Sequence, residues 1–222
     1  MDEVHRVIAR DLAHKHLAAG DALGWFEALY AQANGASSII PWADLKPNPN
    51  LITWLDAAHI HGNGHKSLKV GCGLGDDAEE LARRGFATTA FDISKTAISW
   101  CRRRHPHSPV TYMTADLFDA PLEWQRAFSF VVESYTLQVL PPDFRTKAII
   151  RIADFVAPGG LLLVIARGRD TTDPEGNMPW PLTKKELNTF SDAGLNEVSF
   201  DDYTDNKNPP VRRFRAVYSR NG

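Results

Sequence analysis

Apolar runs and amphipathic segments alternate along most of the chain. Five apolar runs are predicted to form β-strands, near residues 67–71, 87–92, 110–114, 128–134 and 161–166. Three- and four-residue spacing predicts helices between them, at about 76–84, 94–104 and 143–156, with a shorter turn-rich connection near 116–126. Because parallel strands need long crossover connections, this order predicts a parallel sheet with helices on both faces.

The last part of the chain departs from this alternation. Residues 195–203 and 211–219 alternate apolar and polar side chains, and no helical pattern separates them. Two such runs in succession predict a C-terminal hairpin, which makes the last strand antiparallel to the others. Together with the five earlier runs, the hairpin gives a Rossmann-like, seven-stranded, mostly parallel sheet of the α/β class.

The first sixty residues have a helical character of their own. Residues 3–19 and 51–60 have helical spacing, and 33–50 are rich in Gly, Ser, Asn and Pro. We therefore expect one domain over residues 1–222, in which a helical lid at 1–60 covers a core at 61–222.

Composition limits the possible partners. The 222 residues are 43% hydrophobic and 23% charged, with a formal net charge of −2, as is common for globular proteins. This charge gives no electrostatic footprint for nucleic acid, and the runs at 102–104 and 212–213 are expected to be solvated faces. No apolar stretch reaches membrane-spanning length, and the N-terminus lacks the apolar core of a signal peptide. We expect a cytoplasmic protein, a monomer or a homodimer, without a membrane or nucleic-acid partner.

A glycine-rich loop follows the first predicted strand. Gly71, Gly73 and Gly75 alternate with Cys72 and Leu74, so the backbone can turn tightly and approach a ligand closely.

An acidic residue follows the loop at the spacing typical of nucleotide-binding folds. Asp92 ends the second strand about 20 residues later, where a carboxylate accepts ribose hydroxyls. A plain helix-preceding cap is the alternative role for Asp92. Asp76 and Asp77 follow the glycines directly, and two carboxylates repel a diphosphate but tolerate a sulfonium cation. The residues thus predict S-adenosyl-L-methionine as the cofactor.

Several motifs resemble those of a known family. They are the segment 67–92, Thr-Ala-Asp-Leu at 114–117, the segment 131–140 and Ala-Pro-Gly-Gly at 157–160. With these motifs, the chain resembles class I S-adenosylmethionine-dependent methyltransferases. Ile-Pro-Trp-Ala-Asp at 40–44, with two further prolines, resembles the branch of thiopurine, thiol, halide and tellurite methyltransferases. Lys69 and Ser129 depart from the family pattern, in which acids are common at both positions.

The resemblance and the strand ends give the expected cofactor contacts. Ligands of open α/β sheets bind beyond the carboxyl ends of the strands. The expected cofactor-binding residues are Trp42, Gly71, Cys72, Gly73, Gly75, Asp92, Ile93, Asp116, Leu117 and Glu133. The resemblance implies that Asp116 meets the adenine amino group and that the loop of Trp42 covers the cofactor. The alternatives are a turn cap for Asp116 and a structural anchor for Trp42.

Three residues near the expected methyl group are catalytic candidates. Glu133 ends an apolar strand, where an unpaired carboxylate is costly, so we expect it to receive the methionine ammonium or to orient the substrate. Tyr135 is expected to face the acceptor or the sulfonium, with a pocket wall as the alternative. Arg167 follows the fifth strand and can steer an anionic acceptor, although surface charge is the simpler explanation. Trp42 and Trp180 are expected to exclude water from the pocket.

Other chemistry finds less support in the sequence. His59, His61 and His65 straddle a Gly-rich break without a completing cysteine or acid, so no metal site is expected. Two cysteines, Cys72 and Cys101, give no disulfide framework.

Methyl transfer to a soft nucleophile needs no strong base, and segment 131–138 contains no histidine. We therefore expect a small-molecule acceptor, a thiol or another soft nucleophile. The alternatives are O- or N-methylation of a small metabolite, nucleic-acid methylation, a non-catalytic cofactor binder and a nicotinamide-dependent oxidoreductase.

Overall fold

A computed structural model describes residues 3–206 and 208–222 of the chain. Its strands are β1 Lys66–Val70, β2 Ala87–Asp92, β3 Thr111–Thr114, β4 Phe128–Ser134, β5 Val156–Arg167, β6 Asn196–Thr204 and β7 Arg212–Ser219. Its α-helices are α1 Glu3–Ala18, α2 Gly24–Ala33, α3 Pro49–Ala57, α4 Asp76–Arg83, α5 Lys95–Arg104, α6 Pro142–Phe155 and α7 Lys184–Asp192. None of the helices within these residues combines the length and the apolar character needed to cross a bilayer.

The seven strands form one sheet in the order β3-β2-β1-β4-β5-β7-β6. Strands β1 to β5 pair in parallel, while β7 runs antiparallel between β5 and β6. The predicted fold, a Rossmann-like and mostly parallel sheet with a C-terminal hairpin, is confirmed. Strand order reverses between β1 and β4, so the ligand crevice is expected at the carboxyl ends of these two strands.

Helices cover both faces of the sheet because the central strands are apolar on both sides. In β4, Val131 packs into the cluster under α6 and α7, whereas Phe130 and Val132 pack with Leu51 of α3 and Leu81 of α4. Successive side chains of a strand point to opposite faces, so a continuous apolar run fills two cores at once.

The secondary structure differs from the sequence prediction in three places. Strand β5 begins at Val156 rather than near 161, because Phe128 pairs with Val156 before the glycines at 159 and 160. Helix α7 lies at 184–192, where the sequence analysis placed no helix. It begins with a capping box in which Thr183 and Glu186 satisfy each other's backbone N–H groups. Segment 33–50, predicted to be a loop, contains a 3₁₀ turn at Ser37–Ile39.

Candidate cofactor and acceptor site

A cavity of about 280 Å³ lies at the carboxyl ends of the strands. Its floor is formed by residues that follow β1, β2, β3, β4 and β5, together with Arg213 of β7. Segments before the core cover it, namely parts of α1, α2 and residues 41–50, and Met178 and Pro179 close one side. The cavity therefore combines residues from both ends of the chain.

The glycine loop forms the part of the floor beyond β1. Gly71, Gly73 and Gly75 have φ angles of 56°, 54° and 92°, which L side chains rarely adopt. A Cβ on Gly71 would lie 2.4 Å from Thr136 Oγ1, and one on Gly75 would lie 2.5 Å from the Tyr112 hydroxyl oxygen. The three glycines let the loop pack closely against its neighbours, and Gly71 and Gly73 line the cavity, whereas Gly75 is not among the lining residues.

Cys72 lies in the same loop and lines the cavity, but it is buried. Burial raises the pKa of its thiol, so a reactive thiolate is disfavoured.

Asp92 links the glycine loop to the end of β2. One carboxylate oxygen accepts the Gly73 N–H at 2.9 Å, and the other accepts the Ser94 N–H at 3.0 Å. Burial raises the pKa of this carboxyl group. An ionised carboxylate has about four acceptor positions, so two positions stay available for ligand hydroxyls. Asp92 and Ile93 both line the cavity, as the sequence analysis placed them.

Asp116 and Leu117 line the cavity beyond β3. One oxygen of Asp116 accepts the Phe118 N–H at 2.8 Å, which caps the short turn Leu117–Asp119. Asp116 therefore has the turn-capping role given as its alternative, and its contact with adenine stays a prediction.

The first turn of α4 carries both acids that follow the glycines. Asp76 forms an ion pair with Arg104 at 2.8 Å. One oxygen of Asp77 accepts the Asn48 backbone N–H at 2.7 Å, and the other accepts the Ser134 hydroxyl at 2.8 Å. The helix N-terminus, where a diphosphate would bind in a dinucleotide fold, thus carries two of the chain's own carboxylates.

Lys69, which replaces an acid common in the family, lies near these carboxylates. Its ammonium is buried, donates to the Val70 carbonyl at 2.8 Å and lies 3.9 Å from Asp77. Lys69 thus partly compensates the charge of Asp77 beneath the glycine loop.

Trp42 anchors the lid and also lies in the cavity wall. Its indole N–H donates to the Tyr30 hydroxyl at 2.8 Å, and its ring meets Trp25 edge-on, so the side chain anchors the lid to α2. It also lines the cavity, as do Phe26 and Tyr30.

Trp180 does not lie where the sequence analysis expected. It is not among the cavity-lining residues, and the Arg145 guanidinium lies 5.6 Å from its ring centroid. The prediction that Trp180 shields the pocket is therefore wrong. Met178 and Pro179, two and one residues earlier, line the cavity instead.

Glu133 is also placed differently from the expectation. It is fully buried and does not line the cavity. Its Oε1 accepts the N–H groups of Thr136 and Leu137 at 2.7 and 3.0 Å, and burial raises the pKa of the carboxyl group to about 7. This placement contradicts direct contact with cofactor or substrate. The carboxyl group instead holds the backbone turn that follows β4.

Tyr135 occupies that turn with a φ of 66°, a strained value for a residue with a side chain. It lines the cavity, and its hydroxyl oxygen accepts a hydrogen bond from Asn50 Nδ2 at 3.1 Å. Asn50 Oδ1 in turn accepts the Tyr203 hydroxyl at 2.8 Å. The strained turn held by Glu133 thus presents the Tyr135 ring to the cavity.

Arg167 ends β5 and lines the cavity with a half-buried side chain. Arg213 lies opposite it on β7, is buried, and forms an ion pair with Asp205 at 2.8 Å. Arg6 and Arg10 of α1 line the same cavity. The sequence analysis placed Arg213 on a solvated face and gave α1 no site residue. Only the strand pairing and the packing of α1 bring these arginines to the site.

No group of three or more His, Cys, Asp or Glu side chains is arranged to hold a metal ion in residues 3–206 and 208–222. The same residues place no histidine in the cavity wall.

The comparisons with known proteins agree with this geometry. Residues 68–160 match the family model described as a methyltransferase domain. An uncharacterized methyltransferase of Mycobacterium bovis is 37% identical over 98 residues, which are 44% of this chain and 48% of that protein. The chain thus spans about half the length of the first curated relatives that it matches.

Longer matches have lower identity. A protein of Arabidopsis thaliana named probable thiol methyltransferase 2 is 26% identical over 180 residues, covering 80% of this chain and 75% of that one. The crystal structure of a Burkholderia thailandensis 1,6-didemethyltoxoflavin-N1-methyltransferase superposes with a TM-score of 0.70 at 16% identity, covering 93% and 90% of the two chains. At this identity the structural likeness shows the fold.

Proposed function

The chain resembles the class I S-adenosylmethionine-dependent methyltransferases of the thiol and thiopurine branch, and on this premise we propose that it methylates a small-molecule thiol or another soft nucleophile. The methyltransferase match at 68–160 covers the glycine loop and the acids after β2 and β3. It supports S-adenosyl-L-methionine as the cofactor, with S-adenosyl-L-homocysteine as the product.

The glycine loop fits this cofactor. Gly71 and Gly73 line the cavity, and a Cβ at Gly71 or Gly75 would collide with Thr136 or Tyr112. We propose that Gly71, Gly73 and Gly75 lie along the methionine and the ribose. Because Asp92 keeps two acceptor positions, we assign it the ribose hydroxyls, with Ile93 beside it.

The remaining cofactor contacts follow from the cavity wall. One carboxylate oxygen of Asp116 does not cap the turn. We propose that this oxygen and Leu117 contact the adenine. Trp42, held by Tyr30, covers the site from the lid side. When bound, S-adenosyl-L-methionine supplies an electrophilic methyl group on a sulfonium.

One observation carries the assignment of a soft acceptor: the described cavity wall contains no histidine, the side chain that most often serves as a general base. Burial raises the pKa of Tyr135, so its hydroxyl stays protonated at neutral pH. Positioning and exclusion of water suffice for a nucleophile that is already a thiolate, but not for an alcohol. We assign to Tyr135 the positioning of the acceptor, and to Glu133 the maintenance of the turn that places Tyr135.

Methyl transfer to matched acceptors tests the proposal. Purified protein with S-adenosyl-L-methionine is incubated with benzenethiol, phenol and aniline, and S-adenosyl-L-homocysteine is quantified by chromatography. We expect turnover of benzenethiol well above that of phenol and aniline. Turnover of phenol or aniline alone would refute the acceptor class, and cofactor binding in calorimetry without any turnover would indicate a non-catalytic binder.

A competition experiment tests the cofactor. Excess NAD is expected to leave the calorimetric affinity for S-adenosyl-L-homocysteine unchanged, because the carboxylates of Asp76 and Asp77 in the first turn of α4 repel a diphosphate. Displacement by NAD would favour the oxidoreductase alternative.

A further inference from the structure

Positive charge is concentrated in the part of the cavity wall that β5, β7 and α1 contribute. Arg167 and Arg213 lie at the ends of β5 and β7, and Arg6 and Arg10 reach the cavity from α1. The four side chains interact electrostatically: burial, and then the charges of Arg213, Arg6 and Arg10, lower the pKa of Arg167. The acceptor side of the site is therefore strongly cationic.

The pairing of β5 and β7 places two of these cations directly opposite each other. Arg167 pairs with Arg213 in the antiparallel register, an arrangement in which like charges destabilise a sheet. Arg213 is compensated, because it forms an ion pair with Asp205 at 2.8 Å and lies 4.9 Å from the ring centroid of Tyr135. Its position is thereby fixed from both sides.

Arg167 lacks such compensation. Its backbone N–H donates to Gln138 Oε1 at 2.8 Å, which fixes the main chain. Its guanidinium, however, has no hydrogen-bond or ion-pair partner within residues 3–206 and 208–222. A half-buried cation beside three other cations is unfavourable unless an anion joins it.

We propose that the methyl acceptor carries a carboxylate that pairs with Arg167, so that the substrate class is a small mercapto carboxylic acid. This inference rests on the proposed methyl transfer and adds the group by which the acceptor is recognised. The planar guanidinium fork matches a carboxylate with two parallel hydrogen bonds. Arg6, Arg10 and Arg213 raise the positive potential around this pair.

Two thiols that differ only in the carboxylate test the proposal. We compare kcat/KM for 3-mercaptobenzoate and benzenethiol, and expect a preference of about 10- to 100-fold for the carboxylated thiol. Arg167→Gln is expected to raise KM for 3-mercaptobenzoate and to bring the ratio close to one. Arg167→Lys, which keeps the charge without the fork, is expected to lie between the two. Arg212→Gln is the matched control, because the neighbouring Arg212 pairs with Asp170 and Asp202 outside the cavity and the preference should persist.

A binding measurement separates this inference from the proposed function. Benzoate and the neutral benzamide are titrated calorimetrically into the complex with S-adenosyl-L-homocysteine. We expect benzoate to bind more tightly than benzamide, and Arg167→Gln to abolish the difference. If benzoate binds in this way while no thiol is methylated, the anion site stands and the proposed function fails. If benzenethiol and 3-mercaptobenzoate are methylated equally well, the function stands and the inference is overturned.

Two further results would also overturn it. Loss of affinity for S-adenosyl-L-homocysteine in Arg167→Gln, as large as the loss for benzoate, would mean that Arg167 binds the cofactor's own carboxylate. Displacement of benzoate by an equal concentration of inorganic phosphate would show a general anion site rather than one for a carboxylate.

Discussion

Glu133 shows how one buried carboxyl group shapes the site without lining the cavity. It is fully buried, and one oxygen accepts two backbone N–H groups of the turn that holds Tyr135. The other oxygen is buried without a hydrogen-bond partner in the described residues. An acceptor-only carboxylate with an orphan oxygen is costly in such a place, so protonation is favoured.

The stability of the protein should therefore depend on pH through Glu133. The pKa of this group is about 7 in the folded protein, against 4.5 as its ordinary value. Between these values the unfolded chain releases the proton and the folded protein keeps it, so the contribution to stability is lost as the pH rises. We measure the free energy of unfolding in urea. As the pH rises from 4.5 to 8, the wild type should lose about 2–3 kcal/mol relative to Glu133→Gln.

Exposed Glu123 provides the control for this measurement. Glu123→Gln should show a difference from the wild type that is independent of pH. If the free energy of unfolding of Glu133→Gln also differed from that of the wild type by the same amount at every pH, the assigned pKa would be contradicted.

At the scale of elements, one contact between the lid and the core lies at the first turn of α4. The Asn48 N–H donates to Asp77 in the first turn of this helix, and Asn50 joins Tyr135 to Tyr203. The N-terminus of α3 is therefore bound both to α4 and to the C-terminal hairpin. Asp77 fixes the position of the lid loop over the cavity.

Removing this carboxylate should loosen the loop. Asp77→Ala leaves the Asn48 N–H without its acceptor, and we expect amide hydrogens in residues 43–50 to exchange at least about 10-fold faster, which corresponds to a loss near 1.4 kcal/mol of local stability. Mass-spectrometric hydrogen exchange measures the effect. Asp56→Ala is the control, because Asp56 pairs with Arg84 on the far side of α3 and should leave the loop protected. Equal protection in both variants would show that the loop is held by other contacts.

The elements also show what the sequence could predict. The strands and the glycine loop were predicted well, because apolar runs and glycines at alternate positions are local patterns. Helix α7 was missed since its capping box is the main local signal in a polar segment. The sequence showed that burying the Glu133 carboxylate without a partner is energetically unfavourable. Its partners could not be predicted, because they are N–H groups of a turn whose geometry no local pattern specifies. In the sequence, Arg213 has the pattern of a surface residue, because only the strand pairing shows that it lies opposite Arg167.

For the whole molecule, the cavity joins segments that are distant along the chain. Arg10 of α1 donates to the Met178 carbonyl at 2.7 Å, across the opening between the lid and the loop after β5. A ligand in this cavity contacts the core and the lid together, so its binding should stabilise both.

Ligand binding should therefore raise the stability of the complete chain. With S-adenosyl-L-homocysteine at 100 times its dissociation constant, we expect the free energy of unfolding to rise by about 2.7 kcal/mol. Thermal unfolding followed by circular dichroism measures the shift, and NAD at the same concentration serves as the control ligand. Stabilisation by NAD but not by S-adenosyl-L-homocysteine would contradict the proposed cofactor.

The division of the cavity wall has a consequence for how such proteins diversify. The matched segment, 68–160, ends before Arg167, and Arg6, Arg10, Trp42 and Arg213 also lie outside it. Mutations that retune acceptor choice can therefore accumulate at the periphery while the recognisable segment is preserved. Two homologues that are indistinguishable within that segment can consequently methylate unrelated molecules, and the peripheral arginines are the positions to compare first.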